Sequence, residues 1–178
     1  MFDDTLGYWD TDTVGLELNP DYKLFNCKYY TVPKINKDKF HKDLELLVKM
    51  GVLTPVQQSQ YGTPLIIIPK KEGTVRFITY YFRINRKLVI NMYPLPRIGE
   101  TMHKLEGLHY ATTLDLNMGY NNIRLSPTSQ DMATVVTEFG KFIYNCLRMV
   151  MCASGDIFQA KVDDLLVDIE GVKHISTI

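Results

Sequence analysis

The period of the apolar positions changes several times along the chain, and each change marks an element. Between Asp38 and Gly51, the residues Phe40, Leu44, Leu47 and Val48 recur three and four apart, which lines them on one face of an α-helix. Asp38 suits the N-cap and Gly51 the left-handed residue that ends a helix, so a short helix is expected between them. The run Leu65-Ile66-Ile67-Ile68, then KKEG, then Val75 to Tyr80 predicts two strands joined by a turn with Gly73 at its tip, projecting Lys70 and Lys71. YPLP at 93–96 breaks regular structure, and Ile98, Met102 and Leu105 fit one face of a helix ending near Gly107. From Tyr110 to Leu116 the alternation predicts a strand with Leu114 and Leu116 on one side, Thr113 and Asp115 on the other. A second hairpin is expected over 133–147, turning at Phe139-Gly140-Lys141. A last helix should begin near Asp156 with Phe158, Val162, Leu165 and Ile169 in one stripe. Residues 1–37, with Pro20 and Pro33, hold no clean period and read as an extended lead-in wrapped on a body formed by 38–178. Mixed helices and antiparallel hairpins without an internal repeat make the fold class α+β.

Composition adds bounds. With 178 residues, 46% of them hydrophobic and 22% charged, the chain has enough apolar material for one packed core. No apolar run approaches the roughly 18 residues of a membrane span, and the acidic start MFDDTLGYWDTD is unlike a secretory signal. An intracellular protein, cytoplasmic or nuclear and without a membrane partner, is expected. Cys27, Cys146 and Cys152 form no CxxC and have no histidine at zinc spacing, so neither a disulfide framework nor a zinc site is implied.

A net charge of zero conceals an asymmetry. Residues 1–22 carry Asp3, Asp4, Asp10, Asp12, Glu17 and Asp21 without a Lys or Arg. Residues 61–105 carry Lys70, Lys71, Arg76, Arg83, Arg86, Lys87, Arg97 and Lys104 against Glu72 and Glu100. Charge runs are usually solvated faces. Here the cations alternate with Tyr61, Phe77, Tyr80, Tyr81, Phe82 and Tyr93, a mixture that also suits a surface holding phosphates and stacking on bases.

The stretches "GVLTPVQQSQYGTPLIIIPKKEGTVRF", "YPLPRI", "LEGLHYATTLDLNMGYNNIRL" and "DIFQ" stand in an order and spacing that resemble the reverse transcriptase of gypsy-type LTR retrotransposons. The resemblance covers nearly the whole chain. It implies the fingers and an incomplete palm of a right-hand RNA-directed DNA polymerase, a nucleotidyltransferase from a retrotransposon polyprotein that joins deoxynucleotide triphosphates to a DNA primer on an RNA template. The family uses two Mg2+ ions on three aspartates, and hard carboxylate oxygens are the ligands such an ion prefers. By this match Asp115 is the first catalytic, metal-binding aspartate, and Leu116 offers a neighbouring backbone carbonyl. Tyr120 takes the place of the ring that excludes a 2′-hydroxyl, while Lys70, Lys71 and Arg76 take the triphosphate grip. Taken alone, these residues would read as a turn-capping acid, a core tyrosine and a solvated turn.

The departures from the family pattern are clustered. Tyr80 and Phe82 stand where the family has Asp and Arg. In "LRMVMCASGDIFQ", Arg148 and Gly155 replace prolines and Val150 a glycine. The pair Asp163-Asp164 imitates the family's Tyr-x-Asp-Asp, but it follows Gln159 by four residues instead of some twenty and falls within the helical stripe. Both acids are therefore expected on the wet side of a helix, and Ile175, Thr177 and Ile178 occupy the places of the family's tyrosine and aspartates. The chain reads as a degenerate reverse transcriptase ending before its catalytic pair. The alternative is a non-catalytic nucleic-acid-binding remnant; a metal hydrolase pairing Asp115 with Asp163 or Asp164 is disfavoured by the helix.

Overall fold

The computed structural model describes residues 6, 7, 9, 12–71, 75–90, 92–94, 99, 103, 107 and 116–169. Helix α1 covers Lys34–Lys49, one turn earlier than the Asp38 signal. Pro33 precedes it at φ −56° and no side chain caps its first amides, so the proline's fixed φ sets the helix entry and Asp38 lies in the second turn. The far end follows expectation. Gly51 has φ +72°, and the amides of Gly51 and Val52 donate to the carbonyls of Val48 and Leu47, each at 3.0 Å, which is a Schellman cap. Phe40 and Leu44 are buried, with Leu47 and Val48 packed on the core.

Five strands among the described residues, β1 (Leu53–Val56), β2 (Thr63–Pro69), β3 (Val75–Thr79), β4 (Thr134–Thr137) and β5 (Gly140–Tyr144), form a sheet in the order β1-β5-β4-β2-β3. The expected hairpin β2–β3 is present and antiparallel, with Ile66 opposite Ile78 and Ile68 opposite Arg76; its tip at 72–74 lies outside the described residues. The β4–β5 hairpin turns one residue earlier than anticipated, because Thr137 pairs with Gly140 and leaves Glu138-Phe139 as the loop. Thr137 Oγ1 accepts from the Phe139 amide at 3.1 Å and donates to the Gly140 carbonyl at 3.0 Å, while Gly140 supplies φ +127°. The parallel contact of β2 with β4 joins the hairpins into one mixed sheet. The fold class is α+β.

Helix α1 lies over one face. Phe40 meets Phe77 edge-on at 5.2 Å and Phe139 at 5.5 Å, Asp43 accepts from the Val75 amide, and Lys37 reaches Glu138 at 2.6 Å. Short helices α2 (Phe82–Asn85) and α3 (Pro127–Met132) and a 3-10 turn at Gly119–Asn122 link the sheet to helix α4, Ser154–Leu166. Helix α4 begins two residues before Asp156 and buries Ser154, Phe158 and Gln159. Leu165 and Ile169 are about half exposed, so only the first half of the expected stripe faces the core. Ile169 lies past the helix end. The expected helix around 98–105 and strand over 110–115 lie outside the described residues apart from isolated positions, and Leu116 follows in irregular structure.

The described residues before α1 wrap on the body, and because α1 begins at Lys34 the helix takes in the end of the expected 1–37 lead-in. Val14 bridges Leu125, Leu18 bridges Leu88 and Asn26 bridges Gly62, and Leu16 and Val32 enter the core. The Leu16 amide donates to Ser129 Oγ at 2.7 Å. These bridges satisfy the backbone of a segment that has no ladder of its own.

Candidate nucleic-acid interface and catalytic positions

The β2–β3 ribbon has two faces because side chains alternate along a strand. Leu65, Val75 and Thr79 point inward and are buried, while Ile66, Ile68 and Arg76 stand exposed on the outer face. Lys70 and Lys71 leave the end of β2 exposed. The structure thus brings three of the basic residues expected at the triphosphate grip onto one accessible ribbon. Among the described residues, none of the three has a carboxylate within ion-pair distance.

Immediately after β3 the chain turns out, in and out again. Tyr81 is fully buried and its hydroxyl donates to the Ala133 carbonyl at 3.2 Å; burial holds that phenol far above its ordinary pKa. Its neighbours Tyr80 and Phe82 are each 51% exposed, with rings stacked at 5.9 Å. Arg86 lies over Phe82 and Arg83 over Phe25 of the lead-in.

Asp115, matched to the catalytic and metal-binding aspartate, lies outside the described residues. Leu116, beside it, is 49% exposed. Tyr120, in the 3-10 turn, is part-buried and stacks on Phe158 at 4.6 Å. Trp9 of the lead-in covers the same ring at 5.6 Å, and desolvation raises the Tyr120 phenol. A Cβ on Gly119 would stand 3.0 Å from Phe158, so the "GY" pair is a glycine that lets α4 approach and a tyrosine that lies against it. Met118 adopts the left-handed conformation at φ 51° to start this turn, a geometry that costs roughly 1–2 kcal/mol outside glycine. Trp9 as a partner of this site was not legible, because no local pattern links residue 9 to residue 158.

Asp163 and Asp164 lie on α4, not on a hairpin tip. Asp164 is exposed as expected. Asp163 is half-buried, correcting the expectation of two solvated acids: its carboxylate accepts from the Tyr93 hydroxyl at 2.5 Å and from Gln159 Nε2 at 2.7 Å. That hydrogen bond is the main reason the Tyr93 phenol is held above its ordinary range. Among the described residues no group of three His, Cys, Asp or Glu side chains is placed to hold a metal. Asp163, committed to Tyr93 and Gln159, does not fit a two-magnesium donor set.

The departures around Arg148 are absorbed by packing. Arg148 lies over the Tyr144 ring at 4.1 Å and donates to Asn121 Oδ1 at 3.0 Å. Ser154 Oγ donates to the Arg148 carbonyl, and Asn85 Nδ2 to that of Val150. Ile175, Thr177 and Ile178 lie outside the described residues.

No family model matches the chain. It is similar to curated Pol polyproteins of LTR transposons. It is 29% identical over 150 residues to the retrovirus-related Pol polyprotein from transposon 412 of Drosophila melanogaster, covering 81% of this chain and 12% of that polyprotein. It is 28% identical to the corresponding polyprotein from transposon opus, covering 79% and 14%, and 24% identical to the transposon Tf2-7 polyprotein of Schizosaccharomyces pombe, covering 87% and 12%. The chain therefore spans about one eighth of the length of these relatives. Among solved structures, prototype foamy virus protease-reverse transcriptase superposes with a TM-score of 0.84 at 24% identity, covering 97% of this chain and 23% of that one. The foamy viral enzyme in complex with an RNA/DNA hybrid gives 0.77 at 19% identity, again over 97% and 23%. In sequence the chain resembles these transposon Pol polyproteins, and its fold is that of the foamy viral protease-reverse transcriptases over almost its whole length.

Proposed function

We propose that this region takes up primed nucleic acid, an RNA template with a DNA primer, along its basic fingers, and does not extend the primer by itself. One observation carries the binding half: the solvent-facing β2–β3 ribbon presents Lys70, Lys71 and Arg76 without carboxylate partners among the described residues, a surface complementary to phosphate. A foamy viral relative in fold was solved with an RNA/DNA hybrid, which supports the same ligand class here. The lead-in of residues 1–37 and the body of 38–178 keep separate roles in this reading, as a strap and as fingers with partial palm. The three free cysteines suit a reducing compartment, which favours action inside the cell, in the cytoplasm or nucleus. No helix among the described residues is long and apolar enough to cross a membrane.

The catalytic half rests on position. Mg2+, where the family binds it, neutralises the transferring phosphate. Of the residues in this chain, Asp115 alone matches a carboxylate of that site, and Asp163 and Asp164 stand on a helix. Asp115, Leu116 and Tyr120 would line the nucleotide end of the palm; Lys70, Lys71 and Arg76 would draw the triphosphate. The test is primer extension on an RNA template with deoxynucleotides and Mg2+, run beside Asp115→Asn. Equal background from both is expected, and extension that disappears in the variant contradicts the proposal.

A further inference from the structure

The lead-in and the fingers together build a feature that neither phosphate binding nor the family match requires. Phe25, Cys27, Lys28 and Tyr30 on one side and Pro64, Tyr80 and Arg83 on the other line an open cleft of about 160 Å³. That is below the roughly 300 Å³ at which small-molecule pockets begin, so the feature is a shelf more than an enclosure. Its rim continues onto the stacked, half-exposed rings of Tyr80 and Phe82 and the guanidinium of Arg86 over Phe82. Two half-exposed aromatic rings in contact present flat π surface to solvent.

We propose that this shelf is a base-stacking site for single-stranded nucleic acid, with an unpaired base laid on the Tyr80–Phe82 pair and its flanking phosphates held by Lys28, Arg83 and Arg86. Three observations converge on that occupant. The backbone that carries the rings is anchored, because Tyr81 between them is buried and bonded to the Ala133 carbonyl and the Tyr80 amide donates to the Pro64 carbonyl. A rigid ring loses little freedom on stacking, and every base presents a π face. The cations at the edge are exposed and, among the described residues, have no carboxylate within ion-pair distance, so an anionic ligand meets no competitor. The mixture of ring and guanidinium is suited to a base with its phosphate and poorly suited to an apolar peptide, which would leave Lys28, Arg83 and Arg86 facing no charge.

The site deepens the proposed function and rests on it, and a matched pair of ligands separates the two. The intact chain is titrated with a fluorescent 12-nucleotide oligo(dT) and with the same backbone carrying abasic residues, across a salt series. Stacking predicts about tenfold or more weaker binding of the abasic strand. Tyr80→Leu with Phe82→Leu should remove that difference while leaving the salt slope unchanged, and Tyr80→Trp should restore it. Arg83→Gln with Arg86→Gln should instead reduce the slope by about 0.7 for each phosphate no longer neutralised. Equal affinity for the two strands overturns the stacking site and leaves the phosphate-binding reading standing. Absence of binding to either, in folded protein at low salt, overturns both.

Discussion

Single side chains in this protein are often placed by burial rather than by the role their motif suggests. The Tyr22 phenol stacks on Tyr61 at 5.9 Å and meets Phe25 edge-on, and among the described residues its buried oxygen has no hydrogen-bond partner. Desolvation pushes its pKa up to about 12, with Tyr61 adding to the shift and Arg83 opposing it. A folded-state pKa above the ordinary 10 means the unfolded chain ionises first. The associated stability is intact below pH 10 and is lost as pH rises towards 12. Replacing Tyr22 by Phe removes an orphaned hydroxyl, so it should be neutral or stabilising by up to about 1 kcal/mol at pH 7 and should flatten the alkaline loss; urea melts at pH 8 and pH 11 measure both. Arg148 is the reverse case, since its substitution leaves a partner behind. Arg148→Ala strands Asn121 Oδ1 and uncovers the Tyr144 ring, and a loss of about 1–3 kcal/mol is expected in the same melts. Neither partnership was legible in the sequence: Arg148 showed only as a departure from a proline, and its hydrogen-bond partner Asn121 lies 27 residues away.

At the scale of elements, what was legible was what is local. The face of α1, its glycine cap and the β2–β3 and β4–β5 hairpins follow from period and turn chemistry within a dozen residues. Strand β1 was missed because LTPV is four residues with a proline, and it exists by pairing with β5 nearly ninety positions on. The start of α1 was misplaced because a proline entry outweighed an acidic cap. Half the α4 stripe was misread because the end of that helix leaves the core. One of the contacts that dock the lead-in is a close approach. At Gly62 an added Cβ would collide with Asn26 Oδ1 and lie 2.8 Å from Val136 Cγ2, while the Gly62 backbone bonds to Phe25 and Cys27. Gly62→Ala should therefore destabilise the protein by about 1–3 kcal/mol. It should also loosen residues 19–33 selectively, seen as faster hydrogen exchange there than in β4 and β5. Exchange accelerated equally everywhere would show that the strap is not a separable element.

For the whole molecule, the sheet order β1-β5-β4-β2-β3 and the wrapped lead-in place Asp12, Glu17 and Asp21 and the basic ribbon on one body, so that zero net charge coexists with an exposed cationic face. The α+β class and the fingers were legible because hairpin and helix signals stood in family order. The helical placement of Asp163 and Asp164 was legible by spacing, which separated that pair from a hairpin tip, although Asp163's bonds to Tyr93 and Gln159 were not foreseen. The proposed function rests on the ribbon binding nucleic acid through phosphates, and the salt dependence of binding to single-stranded RNA tests that proposal without intermediaries. With about four phosphates neutralised, log K should fall against log salt with a slope near −3. The triple substitution Lys70→Glu, Lys71→Glu and Arg76→Glu should flatten that slope by about 2, at about 0.7 for each phosphate released, with the remainder left to the Arg83–Arg86 edge, and should not change the thermal midpoint by more than a few degrees. A slope near −3 that survives the triple substitution refutes the assignment, because the phosphates would then be held elsewhere on the chain.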